Sequence, residues 1–380
     1  MSHPLGRTLS RRSALQLGLG AATAALSPSL LAACSGDRQA DGTLVISNWP
    51  IYIDPTKAGH LGTVDRFRRD TGIPVAYSED QNDSAAYFAR IRPDLAAGRR
   101  IPQDIVVTPY WLANRMIGLG WLDPLPLAQI PNAAHLEPQL RHPSWDPSGR
   151  FSLPWQSGIA GIAYNREVTG RDLHGIDDLY AADLHGRVGF LTEMRDTMGL
   201  LMLAEGENPS SPTMAKAEAA FQRLEQAKAK GQIRAFTGND YQDDLLAGNF
   251  AACMAWSGDV AQLALDNPKL RFIVPESGGI LWADVMVVPK GSPHQRQIAA
   301  WMNYAYDPRQ AARITEVVQY ISPVQGVQPI LAANPATAAL AHNPLLFPDA
   351  AMRARLHTFG PLSEADEIAF DKRFAAISQA

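Results

Sequence analysis

Tryptophans and tyrosines stand beside carboxylates at several points where a strand is expected to end. Trp49 and Tyr52 follow a short β-rich run, and Tyr110-Trp111 follow another. Trp256-Ser257-Gly258-Asp259 follows the apolar run 251–255. Gly278-Gly279-Ile280-Leu281-Trp282-Ala283-Asp284 leads into a further apolar run, and Tyr320 lies just beyond a helix that starts at Pro308. Aromatic faces hold alkyl chains and cations, at about 0.5–2 kcal/mol per cation–π contact. Carboxylates hold ammonium groups through charge-assisted hydrogen bonds. Each residue alone has a plainer reading. A tryptophan at a strand end packs a core, Asp259 favours the first turn of a helix, Asp284 pairs with a surface lysine, and Tyr320 fills core. The recurrence of the pairing is what points to a ligand site, because open α/β sheets bind ligands outside the carboxyl ends of their strands.

Signatures of catalysis are missing from the sequence. It has no Walker loop, no Gly-x-Ser-x-Gly elbow and no Ser-x-x-Lys. Gly118-Leu119-Gly120 reads as the end of a helix. The nine histidines are scattered with no His-Glu-x-x-His, so neither a metal nor a cofactor is expected. An enzyme is not expected, although an exported hydrolase is the alternative from another class.

The elements that must position these residues alternate. Strands are expected at 43–47, 73–77 and 104–107, with helices at 63–69, 84–97 and 111–119. A Pro-rich loop follows from Asp123 to Pro147, and β pattern resumes at 151–154 and 161–165. The second half repeats the alternation. It has strands at 188–191, 252–255, 270–273 and 285–288, and helices at 214–229, 259–265, 295–304, 308–319 and 363–378. Strand–helix alternation with short connections predicts an α/β sheet, and 380 residues suggest two domains. With 46% hydrophobic and 19% charged residues the chain reads as globular. Its net charge of −4 comes with no basic run, which excludes nucleic acid as a partner and mildly favours a cationic ligand.

The N-terminus predicts where the protein works. Ser10-Arg11-Arg12, a soft apolar stretch from Ala14 to Ala33, and Leu31-Ala32-Ala33-Cys34 describe an export signal. The paired arginines resemble a twin-arginine signal, and Leu-Ala-Ala-Cys resembles a lipobox, which would leave Cys34 acylated. Gly18, Gly20 and Pro28 make the stretch a poor transmembrane span. Residues 1–33 are then the signal and 34–41 a lipid-anchored linker. Cys253, the second of two cysteines, is left without a disulfide partner and reads as a small core residue.

Taken together, the chain resembles the polyamine-binding (spermidine/putrescine) proteins of bacterial ABC importers. The match runs through Ile46-Ser47-Asn48-Trp49-Pro50-Ile51-Tyr52, Leu191-Thr192-Glu193-Met194-Arg195-Asp196, the Trp-Ser-Gly-Asp and Gly-Gly-x-x-Trp-x-Asp segments, and Tyr320-Ile321-Ser322-Pro323. The resemblance implies a two-lobed periplasmic-binding-protein fold of type II, α/β, each lobe a mixed sheet flanked by helices. Lobe 1 would be 42–157 and 285–327, and lobe 2 would be 158–284 and 328–380. It also implies a monomer that closes over a polyamine and delivers it to permease subunits. By the same resemblance, Trp256 and Trp282 are aromatic walls that sandwich the ligand's methylenes. Asp284, Asp259 and Asp196 are acids for ligand nitrogens, and Trp49, Tyr52 and Tyr320 are cleft aromatics. Tyr110 and Trp111 straddle a family tyrosine, and either can be the cleft residue. Pro50, Ile51, Met194 and the Phe359-Gly360-Pro361 segment depart from the family pattern and leave the amine open. An opine, an amino-acid derivative or an iron chelate is the alternative solute.

Overall fold

The computed structural model describes residues 42–379. The twin arginines, Cys34 and the linker to Asp41 lie outside the described residues. Among the described residues there are ten strands: β1 Leu44–Asn48, β2 Val75–Glu79, β3 Ile105–Pro109, β4 Ser152–Asn165, β5 Val188–Leu191, β6 Ile233–Thr237, β7 Ala252–Trp256, β8 Leu270–Ile273, β9 Gly279–Val287 and β10 Leu356–His357. They follow the order β2-β1-β3-β9-β4-β7-β5-β6, with β8 added on β4 and β10 on β9. β1 runs parallel to both β2 and β3, and β5 runs parallel to β6 and β7. β4 and β9 are long and antiparallel to each other, and together they join these two parallel groups. Apolar β1, β3, β5 and β7 are buried along almost their whole length, the pattern of strands covered on both faces.

Helices α1 Thr63–Thr71, α2 Ser84–Ala96 and α3 Tyr110–Gly118 flank the first parallel group. α1 stops at Gly72, whose φ of 72° is the left-handed C-cap that glycine adopts without strain. Asp83 caps α2, accepting from the Ala86 N–H at 2.7 Å. Further on come α4 Arg166–Thr169, α5 Met194–Ala204, α6 Met214–Ala229, α7 Tyr241–Leu246 and α8 Ser257–Asp266. The chain then forms α9 Gln295–Ala305, α10 Pro308–Val318, α11 Val327–Ala333, α12 Ala350–Arg353 and α13 Glu364–Ser378. Pro308 opens α10 behind an Asp307 cap, where its missing N–H costs nothing.

The apolar core divides into three clusters. One is built from residues of 160–280 and 359–377. The other two lie on either side of β1, β3 and the end of β9, and draw on 44–155 and 285–341. Leu331 and Ala341 pack in the second cluster, although 328–380 was expected with the other lobe. Cys253 is fully buried and free, and burial pushes its thiol pKa up.

Several expectations change. The two β segments at 151–154 and 161–165 are one 14-residue strand with a register shift at Pro154/Gln156. β9 starts at Gly279, so Trp282 and Asp284 sit inside a strand and not before one. The Pro-rich loop contains short 3-10 turns at Leu127–Gln129, Pro131–His135 and Pro138–Leu140. β6, α5 and α7 have no counterpart in the sequence reading. From Met194 to Leu203 every α5 residue is buried, so the helix has no polar face to give a 3.6-residue signature.

Candidate ligand-binding cleft

All ten residues singled out as cleft residues line a single cavity: Trp49, Tyr52, Tyr110, Trp111, Asp196, Trp256, Asp259, Trp282, Asp284 and Tyr320. The cavity holds about 720 Å³ of space unfilled by protein atoms, its mouth included. Trp49 and Tyr52 come from the turn after β1, Tyr110 and Trp111 from the start of α3, and Asp196 from the first turn of α5. Trp256 ends β7, Asp259 lies in the first turn of α8, and Trp282 and Asp284 belong to β9.

Two strained turns aim the tyrosines. Ile51 and Gln319 have φ of 48° and 53°, a conformation costly for a β-branched residue above all. Each precedes a cleft tyrosine, Tyr52 and Tyr320. One side chain ties both turns together: the Gln262 amide donates to Ile51 O at 3.2 Å and to Val318 O at 3.1 Å. The tyrosine rings meet edge to face at 5.1 Å. Nothing in the sequence marked Gln262, because the two turns it joins are more than fifty residues away from it.

The aromatic side chains form a chain of edge-to-face contacts. Tyr320 meets Trp282 at 5.3 Å and 66°, and Trp282 meets Trp256 at 6.5 Å and 77°. The two indoles therefore make a corner. Two glycines make room for this packing. A Cβ at Gly158 would come within 2.4 Å of the Trp282 ring, and one at Gly258 within 2.6 Å of Tyr320.

Tyr110 and Trp111 both face the cavity, and each is already engaged. The Tyr110 hydroxyl donates to Phe359 O at 2.6 Å. The Trp111 ring lies under the Arg195 guanidinium, 3.9 Å from ring centroid to carbon. Of the residues that depart from the family pattern, Pro50 and Phe359 line the cavity, whereas Met194 packs in the core. Its neighbour Glu193 reaches the cavity instead, together with Asp83, and neither was among the expected site residues. Both are helix caps, and each is bonded from across the cleft. Thr192 donates to Asp83 at 2.6 Å, and Ser84 donates to Glu193 at 3.0 Å. An acid at a cap position gives a sequence signal for helix start, and that reading hides a second role.

Charge is concentrated here. Asp83, Glu193, Asp196, Asp259 and Asp284 line the cavity with Arg195 as the one lysine or arginine among its lining residues. Burial pushes the Asp284 pKa up to about 8, with the charges of Glu193 and Asp259 adding to the rise. The Tyr52 hydroxyl is close enough to oppose that shift but makes no hydrogen bond of good geometry. Asp196 is also pushed well up, by burial and then by Glu193, against the Trp256 indole N–H that donates to it at 2.8 Å. Asp259 is better served. It accepts from Tyr320 at 2.5 Å and from Tyr241 and Gln242 at 2.9 Å each, and burial raises it only to about 6. Buried carboxyls held above their ordinary values are short of positive charge, which a cationic ligand would supply.

A family model described as bacterial extracellular solute-binding protein matches residues 62–347. The chain belongs to that family. This solute-binding protein is 26% identical over 338 residues to the putrescine-binding periplasmic protein PotF of Escherichia coli, covering 83% of this chain and 86% of that protein. It is 22% identical over 311 residues to the spermidine/putrescine-binding periplasmic protein of the same organism, covering 82% and 84%. Among solved structures, the spermidine/putrescine substrate-binding protein PotD of Streptococcus pneumoniae superposes with a TM-score of 0.70 at 24% identity, covering 89% of this chain and 98% of that one. The fold is thus that of the type II periplasmic binding proteins, as the resemblance implied. The protein is a non-enzymatic solute-binding protein. No helix among the described residues is long and apolar enough to cross a membrane.

Proposed function

We propose that this solute-binding protein captures a polyamine-like cation, of the putrescine or spermidine class, in the acid-lined cleft and hands it to the permease subunits of its importer. One observation carries the reading: five acids and a cluster of aromatic rings line the cavity against a single arginine. Ammonium groups pair with the carboxylates, and methylenes lie on the rings. We place the cleft between two lobes, 42–157 with 285–327 and 158–284 with 328–380. The packing of Leu331 and Ala341 favours moving the last crossing beyond Ala341. Closure is selected by a ligand that touches both sides.

A calorimetric panel of putrescine, cadaverine, agmatine, spermidine and spermine tests the proposal. One of the shorter amines should bind tightest, and spermine binding tightest would overturn that preference. Absence of heat with every amine would remove the polyamine reading. Lipid attachment at Cys34 rests on Leu31-Ala32-Ala33-Cys34. Cys34→Ser should release the protein from the membrane fraction or block its processing, and normal processing with full membrane retention would contradict it.

A further inference from the structure

Arg195 brings a positive charge into a cleft otherwise lined by acids. It lies in the first turn of α5, flanked by Glu193, the helix cap, and by Asp196. Its side chain is 10% exposed. Two contacts on different elements fix its head group. Trp111 of α3 stacks on it at 3.9 Å, and Glu367 of α13 accepts from Nη2 at 2.8 Å. A planar guanidinium held this way on a ring and a carboxylate has little freedom to turn out of the cleft. Its charge acts on Glu193 and Asp196 within the cleft and on Asp371 behind it.

The Glu193–Asp196 end of the cleft therefore holds a cation before any ligand arrives. A ligand ammonium placed there is attracted by those carboxylates and repelled by the guanidinium. Each further ammonium on a longer chain adds another repulsion in a partly dry cavity, where charges are weakly screened. We propose that Arg195 is a built-in counter-cation that sets the ligand charge the cleft accepts, favouring a diamine over triamines and tetramines. This rests on the cation-binding reading above.

The test compares the wild type with Arg195→Met, which keeps the stem but removes the charge, and with Arg195→Lys, which keeps the charge. Each is titrated with putrescine and with spermidine. In Arg195→Met the affinity ratio should move towards spermidine by about tenfold, the scale expected of one unit charge across a cleft of intermediate dielectric, and Arg195→Lys should keep the wild-type ratio. Equal changes for both amines, or the same shift in the Lys variant as in the Met variant, would overturn the assignment and leave cation binding intact. Failure of both amines to bind wild type and variants alike would overturn the cation reading and this assignment with it.

Discussion

Asp284→Asn should weaken binding of the preferred amine by roughly ten- to a hundredfold. The carboxyl is buried in β9 and faces a cavity with Trp282, Tyr52 and Tyr320. An ionised carboxylate there costs free energy unless a cation meets it, and a charge-assisted hydrogen bond contributes about 1.5–3 kcal/mol, which corresponds to that range of affinity. Asparagine keeps the shape. Its effect on the unliganded protein should have the opposite sign. The folded pKa of about 8 lies above the ordinary aspartate value of 3.8, so the folded state binds this proton more tightly than the unfolded chain does. Stability is least affected below about pH 4 and falls as pH rises towards 8. Near pH 7 the variant should melt at the same temperature as the wild type or higher. The same linkage makes amine affinity in the wild type climb between pH 6 and 8, with proton release on binding, and Asp284→Asn should flatten that climb. Unchanged affinity in the variant would make Asp284 a structural residue.

Trp282→Ala should cost roughly 1–3 kcal/mol of binding, from lost apolar burial and lost cation–π attraction. The indole sits at the centre of the aromatic chain, between Tyr320 and Trp256, with Gly158 giving it room. It also packs against two core clusters, so the variant should melt lower as well. Trp282→Phe separates the two effects. It restores much of the packing and part of the ring face, and should recover part of the affinity. An alanine variant that melts lower yet binds as tightly as wild type would assign Trp282 to packing.

The sequence made much of the first half of the fold legible, and most of the helices, because caps and glycine stops bracket clear periods. α6 and β8 were placed to the residue, Met214–Ala229 and Leu270–Ile273. The long antiparallel strands were harder. β4 reads as two pieces because Gly158, with Gln156 and Ser157, interrupts its apolar pattern before it resumes at Gly161. Yet those glycines are there because aromatic rings, and the Ile273 carbonyl, occupy the space of their side chains. All ten expected cleft residues reached one cavity, since aromatics and acids at element ends carry a strong local signal. Asp83 and Arg195 give no local signal, and Glu193 was not among the expected site residues. Glu193 and Asp83 look like ordinary caps, and the place of Arg195 depends on Trp111 and on Glu367, 172 residues away.

A ligand ammonium should meet the buried carboxylates of this cleft. A crystal structure of the protein with the tightest-binding amine tests it most directly. One amine nitrogen should lie within hydrogen-bond distance of Asp284, with methylenes against the corner formed by Trp282 and Trp256. An amine bound outside the cleft, or one whose nitrogens avoid Asp284, Asp259, Asp196 and Glu193, would contradict it.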